Sequence, residues 1–316
     1  MRVLITGITG FVGHYLSELF IKDGHEVFGT TFSSKDLISE KLKIFKCDIR
    51  DAAKVKEILS DIKPQQIYHL SAISSPLNSI KNPRTTLDIN FYGTMNLIEA
   101  LRETGLDSHI LFVGSVDEYG AVSEKYIPIK EDCPLNPLSP YAASKTSADM
   151  LCYSYVKTYG TNIVRVRPFN HTGPGQRSEF VCSDFAKQIA EIECKIRKPV
   201  IHTGNLDVER DFSDVRDMVS AYYLALEKGT SGDVYNICSE RTYSIRWILH
   251  TLLEFTKLSV EIKEDSSKLR SVDLTFLKGN CSKFRAITGW KSTISFEKTL
   301  NDILNYWREK IPNRNL

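Results

Sequence analysis

The sequence predicts an α/β fold: a doubly wound parallel sheet followed by a smaller C-terminal lobe. Three observations predict it. Short apolar runs alternate with amphipathic stretches in the first half, a glycine-rich turn directly follows the first run, and the alternation stops after Pro168. Repeated strand and helix patterns are typical of a parallel sheet with helices on both faces, and right-handed crossovers make such a sheet doubly wound.

The apolar runs predict buried parallel strands, because several are rich in β-branched residues and all are short. These predicted strands span residues 3–6, 26–30, 42–47, 66–70, 110–114 and 162–166. The amphipathic stretches between them predict helices over residues 12–22, 52–61, 85–104 and 139–159.

The second half has a different pattern. A Gly/Pro-rich stretch at 171–176 precedes helix-like segments near 180–195, 245–257 and 296–310. We expect residues 1–168 to form a dinucleotide-binding domain to which 211–240 returns. Residues 169–210 and 241–316 are expected to form the substrate-binding lobe.

Composition excludes several classes of function. The 316 residues are 42% hydrophobic and 25% charged, with a formal net charge of only +2. This balance gives no reason to expect a nucleic-acid or membrane-surface partner, and no apolar run reaches transmembrane length. The N-terminus lacks the pattern of a secretory signal, and the seven cysteines are scattered without a C-x-x-C pair. A cytoplasmic protein with reduced thiols and no metal site is expected.

A glycine turn follows the first predicted strand. Gly7, Gly10 and Gly13 are spaced G-x-x-G-x-x-G and open the first helix. Glycines let the backbone approach a pyrophosphate, and the helix N-terminus presents free N–H groups to it. Because the turn lies between a strand and a helix, it predicts a Rossmann-type dinucleotide site.

The second strand is followed by Thr31-Phe32-Ser33-Ser34-Lys35, with no acidic residue to bind the ribose of NAD. NADP(H) is therefore favoured. The same stretch also lacks the arginine that commonly accommodates the 2′-phosphate of NADP, so NAD(H) stays open as the alternative. Asp48 is expected either to bind the adenine or to cap the helix beginning near Ala52. The residues expected to contact the cofactor are Gly7, Gly10, Phe11, Val12, Gly13, Thr31, Ser33, Asp48, Ile49, Leu70, Ser71, Ala72, Tyr141, Lys145 and Pro168.

The candidate catalytic residues are Ser115, Tyr141 and Lys145. Tyr141 and Lys145 are four residues apart, on one face of a predicted helix. A free tyrosine has a pKa of about 10, which a nearby ammonium and an oxidised nicotinamide ring lower towards the range useful for proton transfer. Ser115 directly follows the predicted strand 110–114, where a doubly wound sheet presents its ligand-binding edge.

Together these residues resemble the extended short-chain dehydrogenases/reductases, in which Ser or Thr, Tyr and Lys form the catalytic set. The segments 167–176 and 209–217 are similar to reductases that convert GDP-4-keto-6-deoxy-D-mannose to GDP-D-rhamnose, and to the related GDP-mannose 4,6-dehydratases. The resemblance implies diphosphate contacts from Asn170, Arg210 and Arg270, and a guanosine ribose contact from Asp273. The alternative for each arginine is a surface ion pair.

The residues after Ser115 bear on the choice between reductase and dehydratase. A dehydratase of this kind needs an added acid and base, including a glutamate. Here the positions hold Val116, Asp117 and Glu118, and Glu118 would alternate to the opposite side if the strand continued. Reduction is therefore favoured, with Asp117 retained as a candidate substrate contact and base. Ser74 and Ser75 are expected either to contact the sugar or to be ordinary turn residues.

The alternatives are a GDP-sugar 4,6-dehydratase, a GDP-hexose or heptose C4 dehydrogenase or epimerase, and a non-catalytic NADP(H) sensor. In similar proteins, helices corresponding to 85–104 and 139–159 pair across a two-fold axis. The resemblance thus implies a homodimer through a four-helix bundle, although buried core helices would give the same pattern.

Overall fold

The computed structural model describes residues 1–33, 41–268 and 276–311. Within those residues the strands are β1 (Arg2–Thr6), β2 (Glu26–Thr31), β3 (Leu42–Lys46), β4 (Gln66–His69), β5 (His109–Val113), β6 (Ile163–Pro168), β7 (Asn170–Thr172), β8 (Val200–Thr203), β9 (Glu209–Asp214), β10 (Val234–Ile237), β11 (Thr242–Ser244), β12 (Glu261–Glu264) and β13 (Phe276–Leu277).

The helices of the same residues are α1 (Phe11–Lys22), α2 (Ala52–Ile62), α3 (Pro76–Lys81), α4 (Pro83–Leu87), α5 (Gly93–Thr104), α6 (Pro140–Tyr159), α7 (Val181–Glu193), α8 (Val215–Lys228), α9 (Ile245–Glu254), α10 (Ser282–Thr288) and α11 (Phe296–Lys310). One π-helical turn, Asp88–Tyr92, joins α4 to α5. Short 3₁₀ turns occur at Val116–Glu118, Glu124–Tyr126 and Ser266–Lys268.

Seven strands form one parallel sheet in the order β10-β6-β5-β4-β1-β2-β3. The chain crosses outward from β1 to β2 and β3, then returns to the other side of β1 with β4. The order therefore reverses between β1 and β4, and a ligand crevice forms at the carboxyl ends of strands at such a point. The predicted doubly wound α/β fold is confirmed.

Helices cover both faces of this sheet. On one face Leu16 and Phe20 of α1 pack with Met218 and Tyr222 of α8 in one buried cluster. On the other face α2, α5 and α6 contribute to a second cluster, with side chains that include Val55, Leu59, Leu97, Leu101 and Ala148. Burying apolar side chains on both faces stabilises the sheet and holds its carboxyl edge in place.

The remaining elements have a core of their own, in which α7, α9 and α11 pack together through buried aliphatic and aromatic side chains such as Phe185, Ile189, Leu249 and Leu300. Two small sheets accompany them: β11-β9-β13 with β7 beside β9, and β12-β8. After β9, the chain enters α8 and then β10, which pairs with β6 in the large sheet. The division into lobes at residue 168 stays a prediction.

In the described part of the chain, no helix combines the length and the apolar character needed to cross a membrane.

Candidate active site at the carboxyl edge of the sheet

The turn between β1 and α1 lies very close to neighbouring backbone, and only glycine fits at two of its positions. Gly7 has a φ of +69°, and a Cβ there would lie 3.0 Å from the Ser71 nitrogen. A Cβ on Gly13 would lie 2.6 Å from the carbonyl oxygen of Ile8. Gly10 precedes α1 with no side-chain cap, so the first N–H groups of the helix have no side chain competing for them. This glycine cradle fits a pyrophosphate.

The neighbouring strand ends are tied to the cradle. The backbone N–H groups of Leu70 and Ser71 both donate to the Thr6 Oγ1, at 3.1 Å each. Leu70, Ser71 and Ala72 are partly buried beside β1, on the far side of the reversal in strand order. They line the crevice that the glycines open. Pro168, the last residue of β6, lies further along the same edge.

The first residues of α1 face the Gly/Pro-rich loop of the second half. The Phe11 ring is nearly parallel to the His171 ring, with centroids 6.5 Å apart. Val12 packs against the core cluster on that face of the sheet. The Tyr15 hydroxyl donates to the carbonyl oxygen of Pro174 at 2.7 Å. The loop therefore closes the crevice beside the glycine cradle.

The end of β2 forms another wall of the crevice. Oγ1 of Thr31 lies 2.9 Å from Oγ1 of Thr9 and donates to the carbonyl oxygen of Ser33 at 2.9 Å. Ser33 is exposed, and the Phe32 side chain is 70% exposed. Ser34 and Lys35, the other candidate phosphate contacts, lie outside the described residues.

The capping alternative for Asp48 is wrong. The side chain of Asp51 caps α2 by accepting a hydrogen bond from the Lys54 N–H at 3.0 Å. Asp48 instead binds the Arg50 guanidinium at 2.6 Å, and these hydrogen bonds hold the pKa of Asp48 below its ordinary value. The sequence places two aspartates three residues apart before one helix, and only the second stands at the position that reaches the helix N–H groups. Ile49 is buried against Gly93, and the adenine contact of Asp48 stays a prediction.

Ser115 stands where β5 has ended and a 3₁₀ turn begins. The Ser115 Oγ accepts from the Asp117 N–H at 3.2 Å, and the Ser115 N–H donates to the Glu118 Oε1 at 2.8 Å. The strand does not continue, so period-two alternation does not decide where Glu118 points. The turn directs Glu118 into the core, where its Oε2 lies 3.1 Å from the Arg167 Nε.

Tyr141 enters the site from the first turn of α6. Ser139 caps this helix through the Ala142 N–H, and the Tyr141 N–H donates to the Ser79 Oγ at 3.0 Å. The phenol is buried, and α6 packs against the turn that Ser115 begins. Burial and then the negative charge of Asp117 raise the pKa of Tyr141 above its ordinary value, against an opposing effect of the Ser115 side chain.

Lys145 lies one helical turn further along α6. Its Nζ donates to the carbonyl oxygen of Val113 at 2.7 Å and lies 5.4 Å from the centroid of the Phe112 ring. Burial lowers the pKa of Lys145 to about 8. The structure thus brings Ser115, Tyr141 and Lys145 to one buried place beside the crevice. Asp117 is half-buried there, within electrostatic reach of the phenol.

The candidate substrate contacts are spread over three elements. Ser74 is exposed, while Ser75 caps α3 by accepting from the Asn78 N–H at 3.3 Å. The Asn170 amide donates to the carbonyl oxygen of Asp211 at 3.4 Å, so β7 and β9 are joined beside the site. Arg210 of β9 is only 9% exposed, and its Nη1 donates to the Glu209 carbonyl oxygen at 2.9 Å. Arg270 and Asp273 lie outside the described residues.

Sequence reasoning missed a polar chain beneath the site. The amide of Asn90 donates to the Ile73 carbonyl oxygen at 3.1 Å and to the Ser144 Oγ at 2.9 Å. Ser144 in turn donates to the carbonyl oxygen of Tyr141 at 2.7 Å. His69 joins the same chain through Thr94, whose hydroxyl donates to the Asn90 carbonyl oxygen. The sequence gives little sign of this chain, because Asn90 lies inside a helical pattern and His69 is one polar residue at the end of an apolar run.

Comparison with known proteins identifies the family. A family model described as GDP-mannose 4,6 dehydratase matches residues 4–303. The chain belongs to this family. GDP-6-deoxy-D-mannose reductase of Pseudomonas aeruginosa is 32% identical over 311 residues, which cover 98% of each chain. Human GDP-mannose 4,6 dehydratase is 27% identical, covering 96% of this chain and 90% of the human protein.

Solved structures of this family and its neighbours have the same fold. The structure of RMD from Pseudomonas aeruginosa complexed with NADPH has a TM-score of 0.85 and 31% identity, covering 98% of this chain and 99% of the other. UDP-glucose 4-epimerase of Thermus thermophilus, in complex with NAD, has a TM-score of 0.87 and 26% identity, covering 98% and 100%. The resemblance to the extended short-chain dehydrogenases/reductases and to the GDP-mannose dehydratase family is confirmed.

Proposed function

We propose that this protein is an NADPH-dependent reductase of the C4 keto group of a GDP-4-keto-6-deoxyhexose, forming a GDP-6-deoxyhexose such as GDP-D-rhamnose. The observation that carries the proposal is the packing of α6, which carries the buried Tyr141, against the turn that Ser115 begins, beside a crevice that the glycine cradle opens. Pseudomonas aeruginosa GDP-6-deoxy-D-mannose reductase, similar over nearly the whole chain, supports the substrate class.

NADPH fits the cradle, and when bound it supplies the hydride that adds to C4. Gly7, Gly10 and Gly13 leave room for its pyrophosphate, and α1 directs N–H groups at it. The absence of an acidic residue at the end of β2 favours NADPH, because no carboxylate repels a 2′-phosphate there. A solved relative with NADPH supports this preference, and a more distant one with NAD leaves NADH open.

The residues of this chain would handle the proton and the developing charge. The Ser115 Oγ accepts from the Asp117 N–H, so its own O–H is left to donate to the C4 oxygen. Tyr141 donates its proton to the same oxygen, which stabilises the negative charge that develops there. Lys145, one turn away on α6, stabilises the resulting phenolate through its positive charge.

The residues directly after Ser115 favour the reductase over the dehydratase. Val116 is buried and carries no transferable proton, and Glu118 is directed into the core. Asp117 keeps the dehydratase as the second candidate, because its charge reaches the Tyr141 phenol.

The test is to mix the purified protein with NADPH and GDP-4-keto-6-deoxy-D-mannose and to follow cofactor and nucleotide-sugar together. Stoichiometric NADPH oxidation with formation of GDP-6-deoxyhexose supports the proposal. Conversion of GDP-mannose to the keto sugar without net cofactor change establishes a dehydratase instead. Oxidation or inversion at C4 of a GDP-hexose or heptose establishes a dehydrogenase or epimerase. NADPH binding with no chemistry on any of these sugars establishes a sensor.

We also propose that the protein is a cytoplasmic homodimer. Apolar side chains are exposed along α4, the π-helical turn and α6: Leu87 (38%), Tyr92 (49%), Met150 (40%) and Tyr153 (42%). Pairing these helices with those of a second copy in a four-helix bundle would bury them. Light scattering coupled to size exclusion gives the mass in solution, and a monomer at micromolar concentration contradicts the dimer. The seven free cysteines support a reducing, cytoplasmic location, and cell fractionation tests it.

A further inference from the structure

A buried charged cluster lies directly behind Ser115. It consists of Glu118, Asp149, Arg165 and Arg167, of which both carboxylates are 0% exposed and the arginines 4% and 3%. Asp149 binds Arg165 at 2.7 Å and Arg167 at 2.6 Å. Burying four ionisable groups is costly unless each is paired, so a role beyond filling space is expected.

Glu118 connects this cluster to the backbone of the site. Its Oε1 accepts from the Ser115 N–H at 2.8 Å, while its Oε2 lies 3.1 Å from the Arg167 Nε. Gly114 leaves room for the carboxyl group, because a Cβ there would lie 2.2 Å from Oε1. Since the Ser115 Oγ accepts from the Asp117 N–H, the serine is held at both its backbone and its side chain.

Resting on the proposed function, we propose that Glu118 is a positioning residue for ketone reduction, because it fixes the backbone of Ser115 and thereby aims the Ser115 hydroxyl at the C4 oxygen. A donor that stabilises developing charge must be held in place before reaction. Ser115 is the N-cap of the 3₁₀ turn Val116–Glu118, which also carries Asp117. The buried Glu118 side chain accepts from the N–H of this N-cap residue, so the contact holds the start of the turn in place.

The contacts and surroundings of Glu118 decide the best test variant. Burial and the negative charge of Asp149 raise the pKa of Glu118 well above its ordinary value. Burial also acts to raise the pKa of Asp149, but Arg167 and Arg165 together lower it, so Asp149 keeps its charge. Oε1 of Glu118 accepts from the Ser115 N–H, and Oε2 accepts from the Arg167 Nε–H. Glutamine keeps an acceptor for the Ser115 N–H, but its amide NH2 meets the Arg167 N–H as a second donor.

The experiment compares Glu118→Gln with Glu118→Leu in NADPH-dependent reduction. We expect Glu118→Gln to lower kcat less than Glu118→Leu does, since glutamine keeps the acceptor for the Ser115 N–H. Glu118→Leu should lower kcat by roughly tenfold to a hundredfold, somewhat less than loss of a whole charge-stabilising donor. Its Kd for NADPH should stay within about twofold, because the glycine cradle is untouched. Gln66→Leu is the matched control: it removes a buried amide at the opposite edge of the sheet and should leave kcat unchanged.

Gly114→Ala gives an independent route if Glu118→Leu does not fold. The added methyl group displaces the Glu118 carboxyl while leaving every charge in place, and it should also lower kcat with NADPH affinity retained. If Glu118→Leu, or Gly114→Ala in its place, keeps kcat within twofold, the positioning role is overturned. A Glu118→Gln variant as slow as Glu118→Leu overturns it as well.

The proposal can fail separately from the proposed function. If the parent protein reduces the keto sugar and the variants match it, the reductase stands and the role of Glu118 is lost. If the parent protein reduces no keto sugar, hydrogen exchange at the peptide carrying Ser115 decides. Faster exchange of that amide in Glu118→Leu than in Gln66→Leu supports the anchoring contact, and equal exchange overturns it.

Discussion

Nδ1 of His69 lies 2.8 Å from Oγ1 of Thr6, and this contact fixes the tautomer of a buried histidine. Thr6 Oγ1 already accepts from two backbone N–H groups, those of Leu70 and Ser71, so its own proton is directed at Nδ1. The hydrogen of the neutral ring is therefore on Nε2.

The other side of the ring agrees with this assignment. Nε2 of His69 lies 2.9 Å from Oγ1 of Thr94, which itself donates to the carbonyl oxygen of Asn90 at 2.6 Å. Each group therefore donates to the next one, from Thr6 to His69, from His69 to Thr94 and from Thr94 to the Asn90 carbonyl oxygen. These hydrogen bonds connect the end of β4, beside the glycine cradle, to the π-helical turn. Because Asn90 also holds Ser144 of α6, the cofactor crevice and the catalytic helix share one network.

A first prediction concerns stability against pH. Burial and then the positive charge of Lys145 lower the pKa of His69 to about 3, so the folded protein binds fewer protons than the unfolded chain between that value and about 6.5. This contribution to stability is complete above about pH 6.5 and is lost as pH falls towards 3. Lowering the pH from 7.5 to 5.5 should reduce the free energy of unfolding by about 1.4 kcal/mol through this residue.

Urea unfolding of the parent protein and of His69→Gln at the two pH values measures this contribution. The variant should be less stable overall, yet its stability should fall less between the two values, by about 1.4 kcal/mol. His250→Gln, at an exposed histidine, is the matched control and should behave as the parent protein does. Equal pH dependence in His69→Gln and the parent would contradict a neutral, buried ring.

A second prediction concerns Gly13. A methyl group at this position meets the Ile8 carbonyl oxygen at 2.6 Å, so the start of α1 must move away from the cradle. Gly13→Ala should weaken NADPH binding at least tenfold, measured by fluorescence titration. Gly105→Ala is the control, because it adds the same methyl group at the end of α5, where a Cβ meets nothing within 4 Å and only the left-handed φ of +65° is strained. Equal NADPH affinity in the two variants would mean that the cradle does not hold the pyrophosphate.

A third prediction concerns the choice of cofactor. Ser33 is exposed just after β2, and Thr31 fixes its carbonyl oxygen. Ser33→Asp places a carboxylate where it repels a 2′-phosphate and can bind ribose hydroxyls. The Kd for NADPH should rise about tenfold or more, since tenfold corresponds to about 1.4 kcal/mol and a like-charge contact at about 4 Å costs about 1–4 kcal/mol between bulk water and a protein surface, while the Kd for NADH should not rise. A Ser33→Asn variant controls for side-chain size, and a loss of NADPH affinity in it as well would point to shape rather than charge.

The sequence predicts the fold well because each strand and helix has its own periodic signal, and the strand order follows from handed crossovers. It also predicts Ser115, Tyr141 and Lys145, since each follows from a strand end or a helical spacing.

Glu118 could not be placed from the sequence, because the direction of its side chain depends on where β5 stops, and an apolar run does not mark its last paired residue. Asp48 and Asp51 differ only in their offset from α2, and an offset of this size lies within the usual uncertainty of a helix boundary. The His69 and Asn90 network joins residues far apart in sequence, so only the folded chain brings it together.

A fourth prediction concerns the proton donor. Tyr141→Phe removes the phenolic hydroxyl and leaves the buried ring in place against α6. Loss of a general acid lowers the rate by about 10²–10⁴-fold, so kcat for keto-sugar reduction should fall by that amount. NADPH affinity, measured by titration, should change little, because the glycine cradle is unaltered. Tyr222→Phe, at another buried tyrosine, is the control and should keep its kcat. Full activity in Tyr141→Phe would remove the proposed acid from the mechanism.

The last prediction concerns the fall of kcat/KM at alkaline pH. Burial raises the pKa of Tyr141, so the phenol stays protonated and able to donate through the neutral range. Lys145, with a pKa lowered to about 8 by burial, is cationic below that pH and loses its charge above it. The pH dependence of kcat/KM reports the pKa values of groups in the free enzyme. The kcat/KM for NADPH should therefore be constant below about pH 8 and fall about tenfold for each pH unit above it.

Lys145→Arg tests the assignment of that fall to Lys145. A guanidinium stays charged at every pH of the assay, so the fall above pH 8 should disappear even though the altered geometry lowers the rate. Lys145→Met, which has no charge at any pH, should be slow throughout and equally flat. An alkaline fall with the same midpoint in Lys145→Arg would assign the titration to another group and would leave Lys145 without the electrostatic role argued for it.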